Sequence, residues 1–152
     1  MISQRIIDYE SGKVSEDSFR SDADIPGAGP ELLSICKELA REWNCRASEG
    51  KARVRIGDIA SGDKVINCKN FRDALPTGNH KIIGGEMEGR GLYSACRRNG
   101  ISEWIVIKAI CDWGYEKENN KEKNQIIAAK SAVAFIREMF HKNMLQKIIE
   151  ET

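Results

Sequence analysis

The stretch Gly84-Gly85-Glu86-Met87-Glu88-Gly89-Arg90-Gly91-Leu92-Tyr93 decides how this chain is read. A short apolar run, Ile82-Ile83, leads into it, and helical spacing follows it. The pattern predicts a buried strand that runs into a helix. Glu86 and Glu88 flank Met87 at the junction, where the first N–H groups of a helix have no intrahelical partners and the dipole is positive. That junction is also where open α/β sheets bind ligands. Two readings stand side by side. Glu88 is an ordinary acid at a helix start with Met87 as core filler, or the three residues form one wall of a site.

Downstream, the helix places Leu92, Ala95 and Cys96 on one face and ends at the C-cap pair Asn99-Gly100. Residues 104–111, Trp-Ile-Val-Ile-Lys-Ala-Ile-Cys, are nearly all apolar, as suits a parallel strand covered on both faces. The run stops at Asp112, which either caps the next turn or does chemistry at a strand end. A polar loop at 115–123 precedes a long helix. Ile126, Ala129, Val133, Ile136, Phe140 and Met144 form its stripe, expected to pack on the sheet.

Upstream, residues 2–9 predict a strand, Glu10-Ser11-Gly12-Lys13 a turn, and 14–24 a loop. Gly27-Ala28-Gly29 reads as a loop before a helix, because no apolar strand feeds it directly. Pro30 opens a helix over 30–44, with Leu32, Ile35, Cys36, Leu39 and Trp43 on its apolar face. Residues 52–60 alternate at first and predict a strand ending at the turn Ser61-Gly62-Asp63. Lys64-Val65-Ile66-Asn67 then leads to a short amphipathic piece at 70–75, stopped by Pro76. The order is α/β, with parallel βαβ units in the second half. The loop 61–67, the acids at 86–88 and Asp112 all follow apolar runs, so all three are expected at carboxyl ends of strands.

Composition narrows the function classes. The chain has 152 residues, the size of one domain. It carries 24 basic and 23 acidic residues, so no strong field for nucleic acid or membrane is expected. The five cysteines are odd in number and show no CxxC spacing, which predicts neither a disulfide framework nor a zinc site. Reduced thiols fit a cytoplasmic protein. No apolar run approaches the roughly 20 residues of a membrane span.

Taken in order, the motifs resemble those of the purine nucleoside phosphorylase and methylthioadenosine/S-adenosylhomocysteine nucleosidase superfamily. The resemblance rests on Ile59-Ala60-Ser61-Gly62-Asp63-Lys64-Val65, then Glu86 to Leu92, then Ile110-Cys111-Asp112-Trp113-Gly114 with Gln125, Ala128 and Ala129 beyond. It implies a three-layer α/β fold, a mixed sheet flanked by helices. It also implies cleavage of the N-glycosidic bond of a purine nucleoside or nucleotide, with no cofactor and with phosphate as co-substrate if the chain is a phosphorylase. By that resemblance Glu88 holds the ribose hydroxyls and Met87 packs on the sugar beside Glu86. Asp112 protonates the purine at N7. Val65 and Ile66 hold the base edge through their backbone, and Ser61 belongs to the same pocket. Proton donation by such an acid is worth on the order of 10²–10⁴-fold.

The sequence departs from the family pattern in three places. Val65 stands where the nucleosidases often carry an aromatic residue, and Lys108 stands where a basic residue with a forked head is common. The resemblance also corresponds to the later part of a family domain, so residues 1–152 are expected to form one partial domain lacking the first strands and the residues that activate the attacking group. The alternative is a catalytically incomplete module that binds a nucleoside or a partner chain. Assembly into a homo-oligomer is expected from the family.

Overall fold

The computed structural model describes residues 1–15, 18–20, 25–43, 46–47, 50–75, 81–116 and 121–150. The strands are β1 (Ile2–Asp8), β2 (Lys13–Ser15), β3 (Ser18–Arg20), β4 (Arg46–Ala47), β5 (Gly50–Lys51), β6 (Ile56–Ser61) and β7 (Ile82–Glu86). The helices are α1 (Pro30–Glu42), α2 (Lys69–Asp73), α3 (Gly89–Arg98), α4 (Lys121–His141) and α5 (Gln146–Glu150). The central sheet has the order β1-β6-β7, and both pairings are parallel. Each is reached through a helical crossover, α1 between β1 and β6 and α2 between β6 and β7, as parallel neighbours require.

The sheet is the middle of three layers. On one face Ile2, Cys36, Leu39, Phe135 and Met139 form a buried cluster between the sheet and helices α1 and α4. On the other, Ile6, Ile59, Cys96 and Trp104 form a second cluster under α3. Ile2 and Ile6 are four residues apart on one strand, yet they serve opposite faces. Strict alternation would put them on the same side. The register slips between Ser3 and Arg5, and this bulge turns the rest of the strand over. Gln4, the residue inside the irregularity, is exposed. Arg5 then reaches across to β6, where Nε and Nη2 meet the two Asp58 carboxylate oxygens at 2.9 and 2.7 Å.

Four expectations are corrected. Residues 14–24 are not all loop: β2 and β3 pair antiparallel there, while 16–17 and 21–24 lie outside the described residues. The apolar run at 104–111 is not a parallel strand. Its first part is extended and lies beside β1 in the opposite direction, with a single bridge from Ile2 to Ile107. Ser3 N–H donates to the Val106 carbonyl, and the Val106 N–H donates to Ser3 Oγ, both at 2.9 Å. Its side chains still alternate as a doubly covered strand's would, Ile105 and Ile107 to one cluster, Trp104 and Val106 to the other. Helix α3 buries Gly89 and Cys96, packs Tyr93 against the cluster that holds Cys96, and leaves Leu92 and Ala95 exposed. Helix α4 buries Ala128, Phe135 and Met139, whereas Ile126, Val133 and Phe140 are each more than half exposed. The helix is apolar on two sides, so spacing alone could not choose between them.

Among the described residues Cys36, Cys68, Cys96 and Cys111 are free thiols, and burial pushes the Cys36 thiol up to about 11. Cys45 lies outside the described residues. No helix among the described residues is long and apolar enough to cross a membrane.

Helix α1 is capped from a distance. Its N-cap, Gly29, has no side chain to offer. The N–H of Leu32 instead donates to Glu103 Oε2 at 3.0 Å, and Gly29 N–H donates to the Trp104 carbonyl at 2.8 Å. A β-carbon on Gly29 would stand 2.7 Å from the Glu103 Cα, so the glycine permits the close approach. Glu103→Ala should cost about 1–2 kcal/mol in denaturant unfolding, the range for a lost helix cap. A change within about 0.3 kcal/mol would show that α1 does not depend on this contact.

Candidate active site

The three parallel strands end in a row. Asp8, Ser61 and Glu86 are register partners at the carboxyl edge of the sheet, and all three are buried, at 8%, 0% and 6% exposure. Buried polar groups need partners, and these find most of theirs at the start of α3. Glu86 Oε2 accepts the N–H groups of Glu88 at 2.7 Å and Gly89 at 2.5 Å. Ser61 Oγ accepts the N–H of Arg90 at 3.1 Å. Asp8 Oδ2 faces the Arg90 guanidinium at 3.2 Å. Its other oxygen closes the turn after β1 by accepting the N–H groups of Glu10 and Ser11. Gly89 is required here, because a β-carbon would stand 2.7 Å from Glu86 Oε1 and 3.0 Å from Ile6 Cδ1.

That grip presents Glu88, the N-cap residue of α3. Its side chain is 75% exposed, and Oε2 meets Lys108 Nζ at 2.9 Å. The Lys108 hydrogen bond holds the Glu88 carboxyl below its ordinary value. Met87 lies beside it, 39% exposed. Of the two acids, then, Glu86 is turned inward and its Oε2 serves the backbone, while Glu88 is turned outward.

Lys108 belongs to the extended segment that continues to Asp112. Asp112 Oδ1 accepts the Gly114 N–H at 2.8 Å, and Cys111 Sγ lies 3.4 Å from Oδ2. Burial, then the neighbouring Asp112, push the Cys111 thiol up, which keeps it a protonated donor. Asp112 lies on the wall of a cavity of about 480 Å³, shared with Cys111, Trp113, Tyr115, Asn124 and Gln125. That volume is in the range of small-molecule sites. Ile66 borders the same loop, for a β-carbon on Gly114 would stand 3.6 Å from its Cγ2. Val65 is 71% exposed. The loop 61–67 therefore reaches the Asp112 loop through Ile66, and Ser61 sits beneath α3.

The sequence reading missed Asp8, Glu10 and Arg90. Glu10 Oε2 accepts the Asp63 N–H at 2.9 Å, and its other oxygen pairs with Lys64. A β-carbon on Gly62 would fall 2.6 Å from Tyr9 Cε1, so ring and turn fit only with glycine there. Asp8 carries the same signal as Asp112, an acid at the end of an apolar run, but it lies inside the span 2–9 that reads as one strand. Among the described residues no group of three His, Cys, Asp or Glu side chains is arranged to hold a metal.

Lys108→Met should raise the Glu88 carboxyl pKa toward the ordinary glutamate value, read by ¹³C NMR titration of that carboxyl. The sign follows from the lowered native value: the pair contributes stability above the unfolded pKa and loses it as pH falls through the folded one. The contribution is small at this exposure. An unmoved titration would show that the ammonium does not set Glu88.

Comparison with known proteins covers most of the chain. The family model of the phosphorylase superfamily matches residues 1–141. A 5'-methylthioadenosine/S-adenosylhomocysteine nucleosidase of Haemophilus influenzae (strain PittEE) is 26% identical over 85% of this chain and 60% of its own length. A death domain-containing ATP nucleosidase of Amphimedon queenslandica is 22% identical over 90% of this chain and 28% of its own. Among solved structures, a futalosine hydrolase mutant of Helicobacter pylori strain 26695 superposes with a TM-score of 0.70 at 19% identity, covering 93% of this chain and 60% of that one. An MTA/SAH nucleosidase from Colwellia psychrerythraea 34H in complex with adenine gives 0.64 at 18%, covering 89% and 55%. These likenesses bear out the three-layer α/β fold, and the chain spans between 28% and 60% of each relative's length. The match over residues 1–141 makes this chain a member of the phosphorylase superfamily.

Proposed function

We propose that this chain holds a purine nucleoside or nucleotide and takes part in hydrolysing its N-glycosidic bond. The observation that carries the reading is Asp112 on the wall of a cavity of about 480 Å³, at the end of the segment whose Lys108 is paired with Glu88. The base lies against Asp112, with its edge toward the backbone of Val65 and Ile66. The ribose lies toward Glu88, with Met87 against the sugar. Glu86 and Ser61 bear on the sugar site by holding the start of α3.

The chemistry divides between the two acids. As the bond from C1' to the purine nitrogen breaks, its electron pair goes to the base, and the Asp112 carboxyl gives its proton to the ring at N7. The sugar becomes cation-like, and the Glu88 carboxylate, fixed on the ribose hydroxyls, favours that charge. Water adds to C1' and releases a proton, giving free base and free sugar. Water rather than phosphate is favoured because the named relatives are nucleosidases and a hydrolase. No residue of this chain is assigned to activating the water. A cytoplasmic setting and self-association belong to the same proposal, with no role for nucleic acid, membrane or cofactor.

The reading is tested by incubation with adenosine, inosine and methylthioadenosine, with and without phosphate. Free base released without phosphate is expected. Release only with phosphate would make the chain a phosphorylase. Ligand-dependent stabilisation with no release would make it a nucleoside-binding module. Asp112→Asn should lower turnover by about 10²–10⁴-fold while nucleoside affinity stays within a few-fold. A variant that turns over normally would remove Asp112 from its role. Glu88→Gln should weaken nucleoside binding and leave free-base binding unchanged; equal loss on both would take the ribose away from Glu88.

A further inference from the structure

We propose that Arg72 is the positioning residue for Asp112: it fastens the loop carrying the proton donor to the loop that receives the base. The proposal rests on the functional reading above for its catalytic meaning.

Four contacts carry it. Arg72 lies on α2, at the far end of the loop that starts at Ser61. Its Nη1 donates to the Trp113 carbonyl at 2.7 Å. Its guanidinium stands over the Tyr115 ring, 4.9 Å from Cζ to the centroid. Its Nε and Nη2 both meet Asp73 Oδ1, at 2.8 and 2.6 Å, which leaves Nη1 aimed at the Asp112 loop. Its stem fills the space beside Gly114, where a β-carbon would stand 3.5 Å from Arg72 Cδ.

The loop needs such a fastening. Glu116 has φ +52°, the left-handed region, which costs a residue with a β-carbon of order 1 kcal/mol or more, while Gly114 at φ +76° takes it freely and leaves the turn pliant. Asp112 is oriented by the N–H of that same Gly114. Arg72 grips the residues on both sides, Trp113 through its carbonyl and Tyr115 through its ring. Holding 113–115 therefore fixes the donor to which Asp112 Oδ1 is bonded. A planar head with five donors can bond a carbonyl and an acid while lying on a ring, and an ammonium cannot do all three. Arg72 touches no reacting atom in this scheme and acts only through the direction of Asp112.

The experiment compares a purine nucleoside that the wild type cleaves with its N7-methyl derivative. The methylated base already carries the positive charge, so it leaves without a proton from Asp112. Arg72→Ala should lower kcat on the unmodified nucleoside by about 10- to 100-fold and on the methylated one by less than about threefold. Arg72→Lys should recover little of the loss. In the same variants hydrogen exchange without ligand should quicken at the Gly114 amide and stay unchanged in β1 and β6. An equal fall on both substrates would make Arg72 a merely structural residue and overturn the proposal. So would normal cleavage of the unmodified nucleoside, or unchanged exchange at Gly114. If the wild type cleaves neither substrate, the hydrolytic reading fails by itself, and the Gly114 exchange decides whether Arg72 holds the loop.

Discussion

The site depends on three buried polar side chains that hold one helix start. Asp8, Ser61 and Glu86 end three neighbouring strands in register, and each bonds the first turn of α3 through a backbone N–H or through Arg90. In a parallel sheet the carboxyl ends lie together, so one side chain per strand can converge on one point. The orphan N–H groups of a helix are the natural donors for such a row. An acid at the N-cap is then directed by buried bonds although it stands in water itself. The exposure of Glu88 and the burial of Glu86 are two halves of one arrangement.

Much of this was legible in the sequence, and for physical reasons. Strand ends followed by turn residues are short-range signals, so the loop 61–67 and the acids at 86–88 could be placed at strand ends without knowing the sheet order, whereas Asp112 ends an extended apolar run that forms no regular strand. Reading Asp112 and Glu88 as partners took the resemblance to a family. What failed depended on choices between equal local patterns. Helix α4 has apolar residues on two sides, and only the packed neighbours say which side is covered. The run at 104–111 states that both its faces are buried but not which strand lies beside it, nor in which direction. The bulge after Ser3 had no signal in residue type.

Long-range contacts were the least legible. Glu103 caps α1 by accepting the N–H of Leu32, 71 residues earlier in the chain, and Arg72 meets a carbonyl 41 residues away. Neither arginine nor glutamate is unusual where it stands. Each gains its role from a backbone group that another part of the chain brings to it. The same holds for Lys108, whose partner Glu88 lies on a different element. Such residues mark how separate loops become a single site.

The bridge between β1 and residues 106–108 has a kinetic consequence. The Val106 N–H bond to Ser3 joins groups 103 residues apart, and the ion pair of Arg5 with Asp58 joins groups 53 apart. Contacts so distant in sequence slow folding, because loop closure is opposed by chain entropy before any packing rewards it. The first strand is covered on both edges only once the middle of the chain has reached one of them and the Asp112 segment the other. Assembly of the site rests on these distant closures, and a chain that has not made them exposes apolar surface and unpaired strand edges to its neighbours.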